Sequence, residues 1–149
     1  MAENTIPIFP KTPYAVTASL VAASAGTSRQ PVAHAAIGDT PVFGIAFVPT
    51  STNGKRIDKI QVKGCATAIG GATTAGSVII WMSNGTTAYP IDEILIPVVT
   101  PSASVASVDV SKTYTNLVLP PAFTLWASST IAGAAAAHAL CVTAYGGDY

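Results

Sequence analysis

Length, composition and charge limit what this protein can be. The chain has 149 residues and a mass of 15.0 kDa, which suits one domain around one core. Its seven basic and seven acidic side chains cancel, so no long-range attraction to nucleic acid or to an anionic membrane is expected. Charged residues make up 9% of the chain, against roughly 25% in an average soluble domain. The surface must therefore be wetted by Ser, Thr and backbone groups, or be covered by other subunits.

The aliphatic residues indicate β-structure. The chain has 14 Val and 13 Ile but only 6 Leu, and branching at Cβ suits the pleated surface of a sheet. The 26 Ala are the one feature that favours helix. No apolar run reaches the roughly 18 residues of a membrane span. Residues 1–10 lack the basic start and apolar stretch of a secretory signal, so we expect a protein made in the cytoplasm.

Residues 1–13 are expected to form an extended arm, and residues 14–149 a single domain. Three prolines fix φ and remove amide donors from the arm: Pro7, Pro10 and Pro13. Three apolar side chains make it unlike a solvated tail: Ile6, Ile8 and Phe9. We therefore expect the arm to dock on a neighbouring chain.

Strand-like segments follow the arm. Residues 14–20 alternate between larger apolar and smaller side chains, and residues 42–48 form an apolar run between two prolines. Residues 27–40 have a weak pattern and are predicted to be a long loop or an irregular edge. Ile60 and Val62 alternate with polar neighbours, which predicts a strand with one wet face.

The clearest local signal is a hairpin. An apolar stretch at 78–82 is followed by Asn84–Gly85 and then by a second strand candidate from Tyr89 onward. Asn-Gly between two strands favours a type I′ turn, in which both central residues have positive φ.

The remaining segments are also short. Residues 91–99 are predicted to be an edge strand or to end at Pro97. Further strand candidates are 103–110, 117–119, 123–127 and 139–145. A helix over 132–140 is the alternative that alanine propensity allows. Eight or nine short strands without amphipathic helices predict an antiparallel sandwich or barrel.

Few residues are suited to catalysis or to metal binding. The two histidines, His34 and His138, sit among alanines, and no nucleophile motif accompanies them. Cys65 and Cys141 lack the spacing of a zinc site and are expected to be small buried residues. A single bridge between them stays open. We expect no enzyme activity, no metal and no cofactor.

Asp92 and Glu93 are the only adjacent acidic pair. Neighbouring side chains of a strand point to opposite faces, so the two carboxylates cannot act on one substrate. Their expected role is to keep an edge strand soluble and protected from pairing.

One basic cluster could serve a contact. Four of the seven basic residues lie within nine positions: Lys55, Arg56, Lys59 and Lys63. Four charges with Asp58 among them are few for a nucleic-acid surface. The cluster is either a solvated strand face or a contact for an acidic protein surface.

The stretch from residue 57 to the C-terminus resembles small structural proteins of tailed bacteriophages. The segments that carry this resemblance are 74–76 leading into 78–81, 84–87 followed by Tyr89, 92–97 followed by 98–100, 117–120 before 123–128, and the closing 144–149. They are packing and turn positions and include no functional signature.

Such proteins are similar to head decoration, or cement, proteins. The resemblance implies an antiparallel β-sandwich of jelly-roll type, here with the extended N-terminal arm. It also implies a homo-oligomer, most commonly a trimer, that clamps neighbouring subunits of the major capsid protein. Partners of other kinds, nucleic acid and membrane, are not expected.

Three functional classes follow from these observations. The first is a capsid decoration protein on the virion surface, and the second is a tail or other virion protein with a host- or glycan-binding role. The third is a small hydrolase. An aromatic side chain exposed in a groove would favour the second, and a His–acid–nucleophile cluster the third. The candidate contact residues for capsid or subunits are Ile6, Ile8, Phe9, Lys55, Arg56, Lys59 and Lys63.

Overall fold

Strands make up the regular structure of the described chain. The computed structural model describes residues 12–20, 44–48, 52–64, 73, 75–129 and 140–149. Within these ranges there are eight strands and no helix: β1 (Thr12–Leu20), β2 (Gly44–Val48), β3 (Lys55–Gly64), β4 (Gly76–Ser83), β5 (Ala88–Ile96), β6 (Asp109–Leu119), β7 (Thr124–Ser129) and β8 (Leu140–Asp148). The all-β prediction is confirmed. No helix among the described residues has the length and apolarity to cross a membrane.

The strands form two four-stranded sheets. Sheet A has the order β1-β8-β3-β6, and sheet B has the order β2-β7-β4-β5. Every pair of neighbouring strands is antiparallel. β1 and β6 are the edges of sheet A, and β2 and β5 are the edges of sheet B.

A single apolar core lies between the sheets. Alternate residues of the central strands β3 and β4 point inward, as the period of a strand requires. Sheet A contributes Ile57, Ile60 and Val62 from β3, and sheet B contributes Val78 and Ile80 from β4, all with 0% exposure. Burial of each such side chain stabilises the fold by about 1.5–3 kcal/mol. The β-branched composition therefore supplies both the strand preference and the core.

The prolines within the described strands lie on edge strands. An edge strand has one side without a hydrogen-bonded neighbour, so a missing amide donor on that side breaks no backbone hydrogen bond. Pro90 lies in β5 and Pro13 in β1. The prediction of an edge strand that ends at Pro97 is confirmed, since β5 ends at Ile96. β1 begins at Thr12, so the first strand starts two residues earlier than the predicted domain boundary.

The predicted strand over 103–110 is wrong for residues 103–108, and only Asp109 and Val110 lie in a strand. Residues 97–108 lie outside any strand, and β6 begins at Asp109. The Ser102 hydroxyl accepts hydrogen bonds from the backbone N–H groups of Ser104 (3.2 Å) and Val105 (3.1 Å). A serine that bonds its own backbone a few residues on favours a turn over a strand. The alternative helix over 132–140 lies outside the described residues, except that Leu140 begins β8.

The predicted hairpin is confirmed, but its turn differs from type I′. β4 and β5 pair antiparallel up to Ser83 and Ala88, which leaves a four-residue connection. Gly85 has a φ of 89°, whereas Asn84 is not among the residues with positive φ. The Asn84 side chain closes the turn instead, because its Oδ1 accepts from the N–H groups of Thr86 (3.0 Å) and Thr87 (2.8 Å).

A β-bulge at Asp58 sets which residues of β3 face the core. The register with β8 passes from Ile57 opposite Gly146 to Lys59 opposite Tyr145, so Asp58 has no partner. A bulge shifts the alternation by one residue. Lys55 and Ile57 therefore face inward before it, and Ile60 faces inward after it. Gly146 is needed at this point, because a Cβ there would overlap the carbonyl oxygen of Arg56.

Cys141 in β8 is disulfide-bonded. The expectation that it is an unmodified, buried small residue is wrong. The chain has one other cysteine, Cys65, which lies outside the described residues. It follows Gly64, which is opposite Leu140 in the β3–β8 register. The adjacent register pair joins Lys63 to Cys141, so the C-terminal end of β3 runs beside the bonded cysteine.

We predict that the bridge contributes substantially to stability. A link between positions 65 and 141 closes a loop of roughly 75 residues and restricts the unfolded chain, which is worth about 4 kcal/mol. Cys141→Ser should lower the free energy of unfolding by about that amount in urea titration. Thiol titration of the denatured, unreduced protein should find no reactive thiol. Two reactive thiols would contradict the bridge.

A polar cluster joins the sheets along their β5 and β6 edges. Asp92 of β5 accepts from Lys112 Nζ (2.5 Å) and from the Tyr114 hydroxyl (2.6 Å), both of β6. Burial of Asp92 acts to raise its pKa, but the hydrogen bonds from Lys112, Tyr114 and the Glu93 N–H outweigh it, and the pKa is lowered. Asp92 and Glu93 thus have different roles, because only Asp92 faces the other sheet.

We predict that this cluster makes stability depend on pH. Because the folded-state pKa of Asp92 is lowered, its contribution is present above the ordinary carboxyl pKa of about 4 and is lost as the pH falls through the folded value. At pH 7, Asp92→Asn should lower the free energy of unfolding by about 1–3 kcal/mol. Glu93→Gln is the matched control, with an expected loss below about 1 kcal/mol. In acid the difference between wild type and Asp92→Asn should shrink, and a constant difference would contradict this assignment.

Candidate interaction surface

The basic cluster of β3 divides between two environments. Lys55 is 6% exposed and lies inside the bulge, at the end of the core. Its Nζ is 3.0 Å from Asp148 Oδ1, an ion pair between β3 and β8. The same Nζ lies 4.9 Å from the centre of the Tyr14 ring of β1. Lys55 therefore joins three strands of sheet A.

The Tyr14 hydroxyl lies in a partly buried site at this end of sheet A. Burial raises the pKa of its hydroxyl, and the nearby charges of Asp148 and Asp58 raise it further. The hydroxyl donates to the carbonyl oxygen of Arg56 (3.4 Å). The tyrosine thus stays neutral and packs under the Lys55 ammonium.

Arg56 is paired within its own strand. Its Nε and Nη2 donate to the two carboxylate oxygens of Asp58, at 2.7 and 3.1 Å. This two-point geometry is the arrangement that an arginine and a carboxylate favour. The side chains are 39% and 47% exposed, so the pair adds little stability. It does neutralise both charges at the bulge.

The other two lysines belong to a network on the outer face of sheet A. We use the name outer-face network for Lys59, Gln61, Lys63, Asp109 and Tyr145. Tyr145 donates from its hydroxyl to Gln61 Oε1 (2.9 Å), and Gln61 Nε2 donates to Asp109 Oδ1 (2.6 Å). Asp109 Oδ2 is 3.4 Å from Lys63 Nζ, and Lys59 Nζ is 5.5 Å from the centre of the Tyr145 ring.

Electrostatics follow from these contacts. The hydrogen bond from Gln61 lowers the pKa of Asp109, burial opposes this effect, and Lys63 and Lys59 lower the pKa further. Three of the four cations in the basic cluster have a carboxylate partner. Among the described residues, no carboxylate lies at ion-pair distance from Lys59. The outer face of sheet A is therefore polar but nearly neutral. Among the four cations of the basic cluster, Lys59 is the one whose charge is least compensated by a nearby carboxylate.

Exposed apolar residues concentrate near the β5 edge of sheet B. Leu95 of β5 is 73% exposed, Val98 just beyond the strand is 62% exposed, and Tyr89 is 48% exposed. Sequence patterning did not select these residues. Leu95 lies between buried Ile94 and Ile96, so the sequence shows a continuous apolar run, which is typical of a strand with both faces covered and does not reveal the exposed position.

The two tryptophans are buried on the opposite face of sheet B from the core. Trp81 of β4 and Trp126 of β7 are direct partners in the antiparallel register. They are 5% and 8% exposed. Each indole N–H is satisfied by a hydroxyl, Ser128 Oγ for Trp81 (2.8 Å) and Thr124 Oγ1 for Trp126 (2.9 Å). Neither tryptophan is presented to a ligand in a groove.

Several predicted residues lie outside the described part of the chain. These are the arm residues Ile6, Ile8 and Phe9 and both histidines, His34 and His138. Within the described part, no group of three or more His, Cys, Asp or Glu side chains could hold a metal ion. Of the predicted contact residues, the four basic side chains of β3 are therefore the ones with a defined geometry: Lys55, Arg56, Lys59 and Lys63.

Comparisons with protein families, with characterised proteins and with solved structures find no match to this chain. The strand order and the chemistry of the two sheet faces are therefore the features of the molecule that bear on its function.

We predict different roles for two lysines of the basic cluster. Lys55→Met removes the ammonium from an almost buried ion pair and should lower the free energy of unfolding by about 1–3 kcal/mol. Lys63→Met is the matched control on the same strand. It breaks an exposed pair and should cost less than about 1 kcal/mol. Urea titration of both variants gives the comparison, and equal losses would contradict the inward position of Lys55.

Proposed function

We propose that this protein is a structural protein of a bacteriophage virion, a decoration protein that binds the outer surface of the capsid lattice and stabilises the head. The observation that carries the proposal is the strand order, β1-β8-β3-β6 facing β2-β7-β4-β5. The resemblance of residues 57–149 to phage structural proteins supports the same assignment. The partner would be the major capsid protein.

We assign the sandwich to the jelly-roll type. The hydrogen-bonded pairs β1–β8, β2–β7, β3–β6 and β4–β5 join the first strand to the last and proceed inward along the chain. Eight strands in two four-stranded sheets with this nested pairing are the arrangement of a jelly roll, which viral capsid and lectin domains use. This topology favours a virion or carbohydrate-binding protein over a hydrolase.

The surface chemistry fits a contact that does not depend on charge steering. Arg56 and Lys63 are paired with carboxylates of their own chain, so little net charge is left to attract or repel a partner. The nearly neutral polar face of sheet A and, separately, the exposed apolar residues Leu95 and Val98 at the β5 edge of sheet B are both suited to protein interfaces. We place the capsid contact on the outer-face network and the subunit contact on the arm.

Stabilisation would follow from mass action. A protein that binds the assembled lattice and not the separated subunits lowers the free energy of the assembled state. Three copies in a homotrimer would each contact a capsid subunit, so that the second and third contacts form at high effective concentration. Individually weak contacts are then enough to hold joints that carry no covalent link.

A tail or other virion surface protein that binds the host or a glycan is the second candidate. Tyr89 favours it, since an exposed aromatic side chain next to the β4–β5 hairpin can stack on a sugar ring. The same strand order serves lectins. The experiment below separates the two candidates.

We predict that particles lacking this protein lose their genome at a lower temperature than decorated particles. Each bound copy opposes the loss of capsid subunits, so adding purified protein back should restore the original temperature. Dye access to the genome during heating provides the measurement. Equal heat resistance of stripped and decorated particles, with reduced attachment to the host, would favour the tail or glycan-binding candidate instead.

Two variants test the proposed contacts in the same add-back assay. Lys59→Glu together with Lys63→Glu reverses the charges of the outer-face network and should weaken binding to stripped particles. Deleting residues 2–10 should weaken assembly while the fold stays intact, as circular dichroism can verify. The matched control is Lys112→Gln, a lysine on sheet A that turns toward Asp92 and away from the network. Full restoration by all three proteins would contradict the contact assignment.

A further inference from the structure

We propose that Asn84, at the tip of the β4–β5 hairpin, is a site of spontaneous deamidation, and that the fold protects the second Asn-Gly pair of the chain, Asn53–Gly54. The two dipeptides have the same reacting groups, and each follows a hydroxyl residue, Ser83 or Thr52. Differences in rate between them must therefore come from the folded structure.

The hairpin tip places the reacting groups in the open. Asn84 and Gly85 are both exposed. Apart from Gly85 and its two chain neighbours, no heavy atom lies within 4 Å of the position where Gly85 would carry a Cβ, so the space beside its Cα is open. The Gly85 N–H donates to Ser83 Oγ (3.1 Å), a single hydrogen bond that must open before the nitrogen can attack.

The turn also activates the side-chain amide. Asn84 Oδ1 accepts from the backbone N–H groups of Thr86 (3.0 Å) and Thr87 (2.8 Å). Two donors on one carbonyl oxygen draw electron density from Cγ and stabilise the negative oxygen that forms when a nucleophile adds there. The pair of amides is thus positioned like a small oxyanion hole around the carbon that reacts.

The chemical step balances with water as the only co-reactant. Hydroxide takes the proton of the Gly85 nitrogen, and this nitrogen forms a bond to Cγ of Asn84. The tetrahedral adduct expels the amide nitrogen, which leaves as ammonia after taking a proton from water, and a five-membered succinimide is formed. Water then adds to either ring carbonyl and opens the ring, giving an aspartate or an isoaspartate at position 84.

The Asn53–Gly54 pair is held at both ends. Asn53 Nδ2, the nitrogen that would leave, donates to the carbonyl oxygen of Tyr149 (3.1 Å). The carbonyl oxygen of Gly54 accepts from the Tyr149 N–H (3.3 Å). Gly54 is buried, and a Cβ on it would lie 2.9 Å from the carbonyl oxygen of Leu119. Rotation toward Cγ therefore requires the end of β8 to detach.

Deamidation at the tip would change both the net charge of the protein and the backbone of the hairpin. Each event adds one negative charge to a chain whose basic and acidic residues balance. The isoaspartate product also lengthens the backbone by one carbon and removes Oδ1 from the amides of Thr86 and Thr87. The hairpin tip would lose these two side-chain bonds and keep the backbone bond from the Asn84 N–H to the Thr87 carbonyl oxygen (3.3 Å), while the sheets below keep theirs.

The test compares the two sites within one molecule. Purified protein is incubated in mildly alkaline buffer, and peptide mass mapping with isoaspartate detection follows positions 84 and 53 over time. In the folded protein we expect position 84 to react at least roughly tenfold faster, since position 53 must first break its hydrogen bonds. In urea the two rates should converge. Asn84→Gln, which cannot form the five-membered ring, should abolish the fast reaction and leave position 53 unchanged.

Two results would overturn the proposal. One is a rate at position 53 equal to or above that at position 84 in the folded protein. The other is a folded protein in which position 84 reacts more slowly than it does in urea, because that would mean that the hairpin protects Asn84 instead of exposing it.

Discussion

Burial of one apolar face from each sheet is the interaction on which the remainder of the structure depends. Ile57, Ile60 and Val62 of sheet A meet Val78 and Ile80 of sheet B with no exposure to solvent. A two-layer arrangement needs this face from every strand, so it fixes the register of each pairing. Three further features add to the stability or the surface chemistry of the sheets that this core holds together. They are the polar cluster at Asp92, the disulfide at Cys141 and the outer-face network.

The bulge at Asp58 determines the chemistry of the surface. Without it, strict alternation would place Lys55 on the same face as Lys59 and Lys63. With it, Lys55 turns under Tyr14 and pairs with Asp148, while the lysines beyond the bulge stay on the outer face. A sequence cluster of four cations is thus divided into one lysine that supports the fold, an arginine that is paired at the bulge, and two lysines that lie on the outer face. For this reason we include Lys59 and Lys63 in the proposed contact. Lys55 has a structural role instead.

The sequence predicts much of the fold and little of the surface. The Val and Ile content predicts an all-β fold, Pro97 predicts the end of β5, and Asn84–Gly85 predicts the hairpin. Each of these signals acts through the local conformation of the backbone. Cross-strand contacts such as Gln61 with Asp109 depend on register over 48 positions, and no local pattern contains that information. The strand prediction for residues 103–108 failed because the Ser102 hydroxyl accepts hydrogen bonds from the backbone and favours a turn. The alternation of apolar and polar residues contains no information about that bond.

Electron microscopy of the native particle tests the proposed function most directly. The account predicts density for a β-sandwich of 15.0 kDa per copy on the outside of the shell, across joints between capsid subunits. The face that carries Lys59 and Tyr145 should be turned toward the shell, with copies grouped in threes. A shell without such protrusions, and the same density on the tail, would contradict the assignment as a decoration protein.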